Sequence, residues 1–144
     1  MTGMRLADLS KRMRDIDFAI LSTHADGRRI AGRPMSNNGN VEYEGDSWFF
    51  TLDSTEMVAQ IARDPHVSLF FQGGKGLFGK PPIFIAVEGE AELIRDKARF
   101  AEHWPTGLER WFAQGVDTPG LVMIRVHAER IEYWDGEENG TVSV

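Results

Sequence analysis

The chain contains no cysteine in its 144 residues. That excludes disulfides, thiolate zinc sites, iron–sulfur clusters and a cysteine nucleophile, and agrees with a reducing compartment. Positive charge is also scarce: 16 Lys and Arg stand against 22 Asp and Glu, a formal net charge of -6. Gripping nucleic acid or an anionic membrane needs a basic surface that displaces counterions, so neither is expected as a partner. Long hydrophobic runs are missing. The longest, Phe18–Leu21 and Val67–Phe71, are too short to span a bilayer, and the N-terminus lacks the apolar stretch of a signal peptide, so a cytoplasmic location is expected. Repeats, low-complexity tracts and linker-like stretches are absent as well. At this length, one domain over residues 1–144 is the expectation.

What is present is an ordered series of short periodic segments. Leu6, Leu9, Met13 and Ile16 recur at helical spacing among charged residues, which predicts an amphipathic helix. Residues 18–25 read as a strand that stops at Asp26-Gly27, a hairpin-turn signal, and residues 28–36 return as its antiparallel partner. Turn clusters at 37–40 and 44–46 precede an aromatic-rich strand, Ser47–Leu52. Asp53-Ser54-Thr55 supplies a helix N-cap region; Met57, Val58, Ile61 and Ala62 form one helical face, and Asp64-Pro65 ends it. His66–Gln72 and Ile83–Ile94 are further strands, joined by a loop with four Gly, two Lys and two Pro. Asp96–His103 is helical in pattern, with a short helix expected near Leu108–Phe112. Leu121–Arg125 and Arg130–Trp134 form the closing strand or strands. Residues 129–138 hold five acidic residues and one Arg, read as a solvated end. About six strands with helices between antiparallel neighbours predict a closed or half-closed β-barrel with helical decorations, not a doubly wound parallel sheet.

Several chemistries are disfavoured. His24, His66, His103 and His127 are scattered, and none stands in a His-x-His or His-x3-His pair, so no protein-held metal is expected. No Gly-x-Ser-x-Gly elbow occurs, and Ser10, Ser22, Ser36 and Ser54 have ordinary turn, strand or cap readings. Gly74 to Lys80 has the Gly-x4-Gly-Lys spacing of a phosphate loop, but Pro81-Pro82 follows where a hydroxyl and a helix are required. Nucleotide hydrolysis is therefore not expected. Arg33-Pro34-Met35-Ser36 and Trp48–Thr51, followed by Thr55 at a helix start, are more informative. A guanidinium, hydroxyls and a helix N-terminus suit a phosphate, and the aromatic strand suits a flat apolar group, so a phosphorylated aromatic cofactor fits. Read alone, Arg33 is equally a surface strand residue and Trp48–Phe50 equally core.

These segments, in this order, resemble the FMN-binding split-barrel family, the pyridoxamine 5′-phosphate oxidase-like superfamily, and within it the general stress protein group. The resemblance rests on Ala19–Thr23 with Asp26-Gly27, Arg33-Pro34-Met35, Trp48–Thr51, Asp64–Val67, Val87–Ala91 and Arg130–Asp135. It implies a six-stranded antiparallel split barrel that forms a homodimer, with FMN bound in clefts at the subunit interface. By the same resemblance Arg33 meets the FMN phosphate, Pro34, Met35 and Ser36 run along the isoalloxazine ring, and Phe50 and Thr51 line the cleft. Thr55 replaces a usual serine. Trp134 matches an aromatic that reaches the flavin from the other subunit; a hydrophobic plug on the last strand is its other reading. Trp104, Trp111 and Phe112, in a helical region that one small barrel does not obviously bury, also point to a dimer.

Two regions depart from the family pattern. Relatives commonly carry cations just after the Ser/Thr at the helix start, where this chain has Glu56 and Met57. Weak FMN binding is implied unless Arg33 acts with Lys75, Lys80 or Arg63. True oxidases of pyridoxamine phosphate carry an Arg-x-His pair where this chain has Gly140 and Val142, so that reaction is not expected. The resemblance thus implies an FMN flavoprotein, with electron transfer to or from an unidentified small molecule. The alternative is a non-catalytic split-barrel dimer that has lost tight FMN binding or holds a deazaflavin or haem. No side chain is an evident general acid or base, and no catalytic residue is named.

Overall fold

A computed structural model describes residues 3–37 and 42–144. The expected turn at 37–40 lies outside the described residues beyond Asn37. In chain order the elements are α1 (Leu6–Met13), β1 (Phe18–His24), β2 (Ile30–Ser36), β3 (Asp46–Leu52), α2 (Glu56–Arg63), β4 (His66–Gln72), β5 (Phe84–Ile94), α3 (Lys97–His103), β6 (Leu121–Asp135) and β7 (Glu138–Val142). All pairings are antiparallel, and the sheet runs β2-β1-β4-β5-β6-β3, with β7 added to β6. The fold is the expected mainly antiparallel, open, split-barrel sheet. Among the described residues it has seven strands, not six.

The extra strand follows from a signal that the acidic composition of residues 129–138 obscured. Asp135-Gly136 is the same dipeptide that turns β1 into β2, and Gly136 takes the left-handed φ of +66° that a tight hairpin requires. Asp135 then pairs with Glu138 and Ile131 with Val142, whose side chain is buried. The closing segment itself is one fifteen-residue strand, β6.

Alternation dictates the core. On β1, Ala19, Leu21 and Thr23 point inward, and Phe18, Ile20 and His24 outward. Leu21, Leu69, Val87 and Ile131 meet in register on the inner face, and α1 closes the barrel with Leu9 and Met13. Burying each such side chain contributes about 1.5–3 kcal/mol. Helix α2 packs on β1 and β5, and Thr55 caps it by accepting from the Val58 N–H at 3.4 Å. The face of α2 differs from the expected one at two positions, since Gln60 is buried and Ala62 exposed.

A second cluster joins β3 and β6 to α3 and the short 3-10 turn at Leu108–Arg110. Phe50, Ile94, Phe100, Leu108, Leu121 and Met123 form it, with Trp48, Trp104, Phe112 and Val116 packed around. Phe50 meets the rings of Phe100 and Trp104 edge-on, at 5.8 and 4.8 Å between centroids. Trp104 and Phe112 pack against this cluster and remain half-buried. Trp111 remains 66% exposed. Among the described residues, no helix is long and apolar enough to cross a membrane.

Candidate functional site

Strands β2 and β3 are consecutive in sequence but form the two free edges of the sheet path, not a hydrogen-bonded pair. Between those edges lies a cleft of about 280 Å³. Pro34, Met35 and Ser36 line it from β2, Trp48, Phe49 and Phe50 from β3, Phe18 from β1, and Pro105, Leu108, Trp111 and Phe112 from the segment after α3. Its walls are apolar and aromatic. Of the residues singled out in the sequence, Pro34, Met35, Ser36 and Phe50 thus share one cleft.

Arg33 lies beside this cleft, with its side chain on the inner side of β2. It pairs across the strands with Leu21, and its guanidinium reaches toward α2. Nη1 donates to the Leu21 carbonyl at 3.1 Å, the Ala31 carbonyl at 3.2 Å and Thr23 Oγ1 at 2.8 Å; Nη2 donates to Gln60 Oε1 at 3.1 Å. Every one of these acceptors is neutral. Partial burial lowers the guanidinium pKa from its ordinary value, and the Glu56 carboxylate acts against that shift. Among the described residues no carboxylate lies within ion-pair distance of Arg33.

The other predicted positions are placed differently. Thr51 is buried on β3, opposite Val122. Thr55 is occupied by the α2 cap and by donating to the Leu52 carbonyl at 3.0 Å. Trp134 stands on the outer face of β6, opposite Phe84, and does not line the cleft. Met57 is buried in the main core, so its side chain does not face the start of α2 as a cation there would.

The supplementary cations are not gathered at Arg33. Arg63 pairs with Asp26 at the β1–β2 turn. Lys75 and Lys80 sit in the loop that leaves β4 after Gln72, whereas Arg33 lies at the level of Leu69 and reaches toward Thr23, the other way. That loop closes on itself, with the Gly76 N–H donating to the Lys80 carbonyl at 3.1 Å around a 3-10 turn at Leu77–Gly79, and β5 follows Lys80 without an α-helix.

Sequence spacing also concealed one surface cluster. Asp64 Oδ1 lies 2.7 Å from His66 Nδ1, Asp64 Oδ2 lies 4.0 Å from His24 Nε2, and Glu90 lies 3.3 Å from His66 Nε2. The His66 hydrogen bond holds the Asp64 carboxyl below its usual range, and Asp64 in turn raises His66. Among the described residues no group of three or more His, Asp or Glu could hold a metal ion.

The model of the family described as pyridoxamine 5′-phosphate oxidase like matches residues 5–144. The chain belongs to that family. Solved structures carry the same fold. A Clostridium acetobutylicum protein related to general stress protein 26 of Bacillus subtilis, of the pyridoxinephosphate oxidase family, superposes with a TM-score of 0.78 at 20% identity, over 96% of this chain and 94% of that one. An FAD-binding protein from Mesorhizobium loti gives 0.68 at 16% identity, over 87% of this chain and 88% of that one. A heme binding protein from Mycobacterium smegmatis gives 0.76 at 14% identity; it covers 99% of this chain but only 59% of that one. At these identities the likeness concerns the fold. Among curated proteins, none matches this chain. In the fold, Glu56 and Met57 stand at the start of α2, and Gly140 and Val142 lie on β7.

Proposed function

We propose that this member of the oxidase-like family is a single-domain, homodimeric FMN flavoprotein of the general stress type. Its flavin ring lies in the cleft between the β2 and β3 edges and its phosphate lies on Arg33. The protein would supply binding and electrostatics, and the flavin the electron exchange with a small molecule. The observation that carries this reading is a guanidinium held only by neutral acceptors next to an apolar aromatic slot. Met35 lines the slot, and Arg33 lies two residues away on the same side of β2, roughly 7 Å along the strand, a span suited to a ribityl chain. Thr51 and Thr55 support the walls and the helix start around the phosphate and do not contact it themselves.

Haem is the weaker fit. The residues that line the cleft include no histidine, cysteine or tyrosine, and leave the Met35 thioether as the one ordinary iron ligand. The deciding measurement is the visible spectrum of purified protein before and after FMN addition, with free flavin removed on a desalting column. A flavin band that travels with the protein is expected. Protein that stays colourless in excess FMN would leave the non-catalytic module as the reading.

A second copy has a place to bind. On the outer face, Ile20, Phe70 and Ala86 stand in one register row, and Phe84 and Trp134 in the next, where Gln72 on β4 separates Phe84 from Phe18 on β1. Phe18 is 54% exposed, Phe70 39% and Trp134 38%, with no helix over them. An exposed apolar patch rimmed by polar residues, here Gln72 and Glu132, suits an interface. It adjoins the cleft through Phe18 and Pro34, and a cleft of 280 Å³ sits at the small end of ligand pockets, so a partner copy would supply a further wall, Trp134 included. Phe70→Glu places a carboxylate in this face on both copies. We expect sedimentation to show a dimer for the parent protein and a monomer for the variant at micromolar concentration; an undisturbed dimer would reject this face.

Glu56 is expected to make FMN binding weaker than a cation at that position would. Glu56→Arg is expected to tighten FMN roughly tenfold, because it exchanges a repulsion for a charge-assisted contact. The affinity is read by flavin fluorescence, with riboflavin as the unphosphorylated control. Met57→Lys is the wrong companion change, since it would bury an ammonium in the core.

A further inference from the structure

Thr23 on β1 is 1% exposed and Gln60 on α2 7%. Both sit where alternation and helix periodicity call for apolar side chains. Burying a hydroxyl and an amide is costly unless their hydrogen bonds are met, and here the hydroxyl and the amide oxygen are met by one another and by Arg33. Thr23 Oγ1 donates to Gln60 Oε1 at 2.6 Å. Arg33 Nη1 donates to Thr23 Oγ1 at 2.8 Å and Nη2 to Gln60 Oε1 at 3.1 Å.

Two acceptors 2.6 Å apart, one bonded to each terminal nitrogen, straddle the Nη1/Nη2 end of the guanidinium. The Leu21 and Ala31 carbonyls engage Nη1 from its other side. The Nε–H and the outer Nη2–H remain on the side edge of the fork, without a partner among the described residues. That edge presents two parallel donors, the arrangement that pairs with two oxygens of a phosphate. Because threonine and glutamine are neutral, they fix the orientation of Arg33 and leave its charge uncancelled. A glutamate at position 60 would have the same reach and would cancel it.

We infer that Gln60, assisted by Thr23, is a positioning residue that makes this end of the cleft selective for phosphate monoesters. It locks the Arg33 fork through a neutral acceptor and keeps the guanidinium's charge and side edge available. The inference rests on the reading of Arg33 as the phosphate contact and deepens it. It assigns to two core residues the distinction between FMN and riboflavin.

The test compares FMN and riboflavin affinities, by flavin fluorescence, for the parent protein, Gln60→Glu and Thr23→Val. Thermal midpoints are measured for each with and without inorganic phosphate. The parent protein is expected to prefer FMN by about 30-fold or more, as a charge-assisted contact implies. In Gln60→Glu that preference should fall to within about threefold of unity, with riboflavin affinity and the phosphate-free midpoint kept, and with the rise in midpoint caused by phosphate abolished. Thr23→Val adds no charge and loosens one arm of the clamp, so it should lower the preference by several-fold.

A parental preference retained in Gln60→Glu, or an equal loss of FMN and riboflavin, would overturn the inference. If Gln60→Glu does not fold, Thr23→Val decides, and an unchanged preference there is the overturning result. A parent protein that binds riboflavin as tightly as FMN would instead reject the phosphate role of Arg33 itself, and is thus distinguishable from a failure confined to Gln60.

Discussion

Arg33→Ala should abolish FMN retention, with a loss of affinity of at least about 100-fold, because hydrogen bonds to a charged phosphate are worth roughly 1.5–3 kcal/mol each and the side edge of the guanidinium offers two. Its free state is well defined: four hydrogen bonds to neutral groups hold the guanidinium, so no rearrangement is needed before it meets an anion. No other cation considered for the site stands ready to replace it, since Arg63 is paired with Asp26 and the two loop lysines leave the sheet in the opposite direction. The fold should survive. Thr23 and Gln60 keep their mutual hydrogen bond after truncation, so the stability cost is about 1–2 kcal/mol, read as a modest fall in thermal midpoint. Arg33→Lys should not rescue binding, because an ammonium cannot meet four neutral acceptors and also two oxygens at its side. An Arg33→Ala protein that keeps its flavin through a desalting column would remove the site described above.

The largest effect on the fold is expected from a single methyl group. In Gly89→Ala the new Cβ would stand 2.1 Å from the His127 carbonyl oxygen and 2.9 Å from its carbon. Both are backbone atoms of β6 and cannot swing aside. Gly89 lies where the β5–β6 register shifts by a bulge after Glu88, and the glycine lets the two backbones close over it. Relief requires the central pairing of the sheet to part locally. A cost of about 3 kcal/mol or more follows. For a chain of this size that is roughly a 10 °C fall in the melting midpoint. Gly74→Ala is the matched control, as its Cβ would meet nothing within 4 Å and its midpoint should not move. Equal midpoints for the two variants would show that the β5–β6 approach is looser than described.

Much of this architecture could be read from residue order. The Asp26-Gly27 hairpin, the alternation of β1 and β4, and the Thr55 cap are local, and local chemistry decides them. The edges of the sheet are not local. Nothing in Arg33–Ser36 or Trp48–Thr51 says that these neighbours in sequence form the two lips of a cleft, because that depends on β4, β5 and β6 pairing between them. Gln60 was hidden for a related reason. Its helical position matches an apolar face, and its amide is explained only when β1 and β2 bring Thr23 and Arg33 underneath. The outer apolar face was disguised in turn, since Ile20, Phe70 and Trp134 come from three distant segments and align only through strand register. Strand β7 was masked by the acidic run that precedes it on β6 and in the turn, although its turn dipeptide was visible.

Strand β6 pairs with β5 along most of its length, with β3 through Leu121–His127 and with β7 through Ile131–Asp135. One late segment is therefore the common partner of three others. As the chain is synthesised, β3 leaves the ribosome with Phe49 and Phe50 on it and has nothing to pair with until residues 121–127 follow. The β2-β1-β4-β5 meander can assemble early, but β5 then presents an open edge that invites pairing with other chains. Closure of the sheet is thus a single event of high sequence separation, slow to nucleate, and the interval before it is when the nascent protein depends most on protection from aggregation.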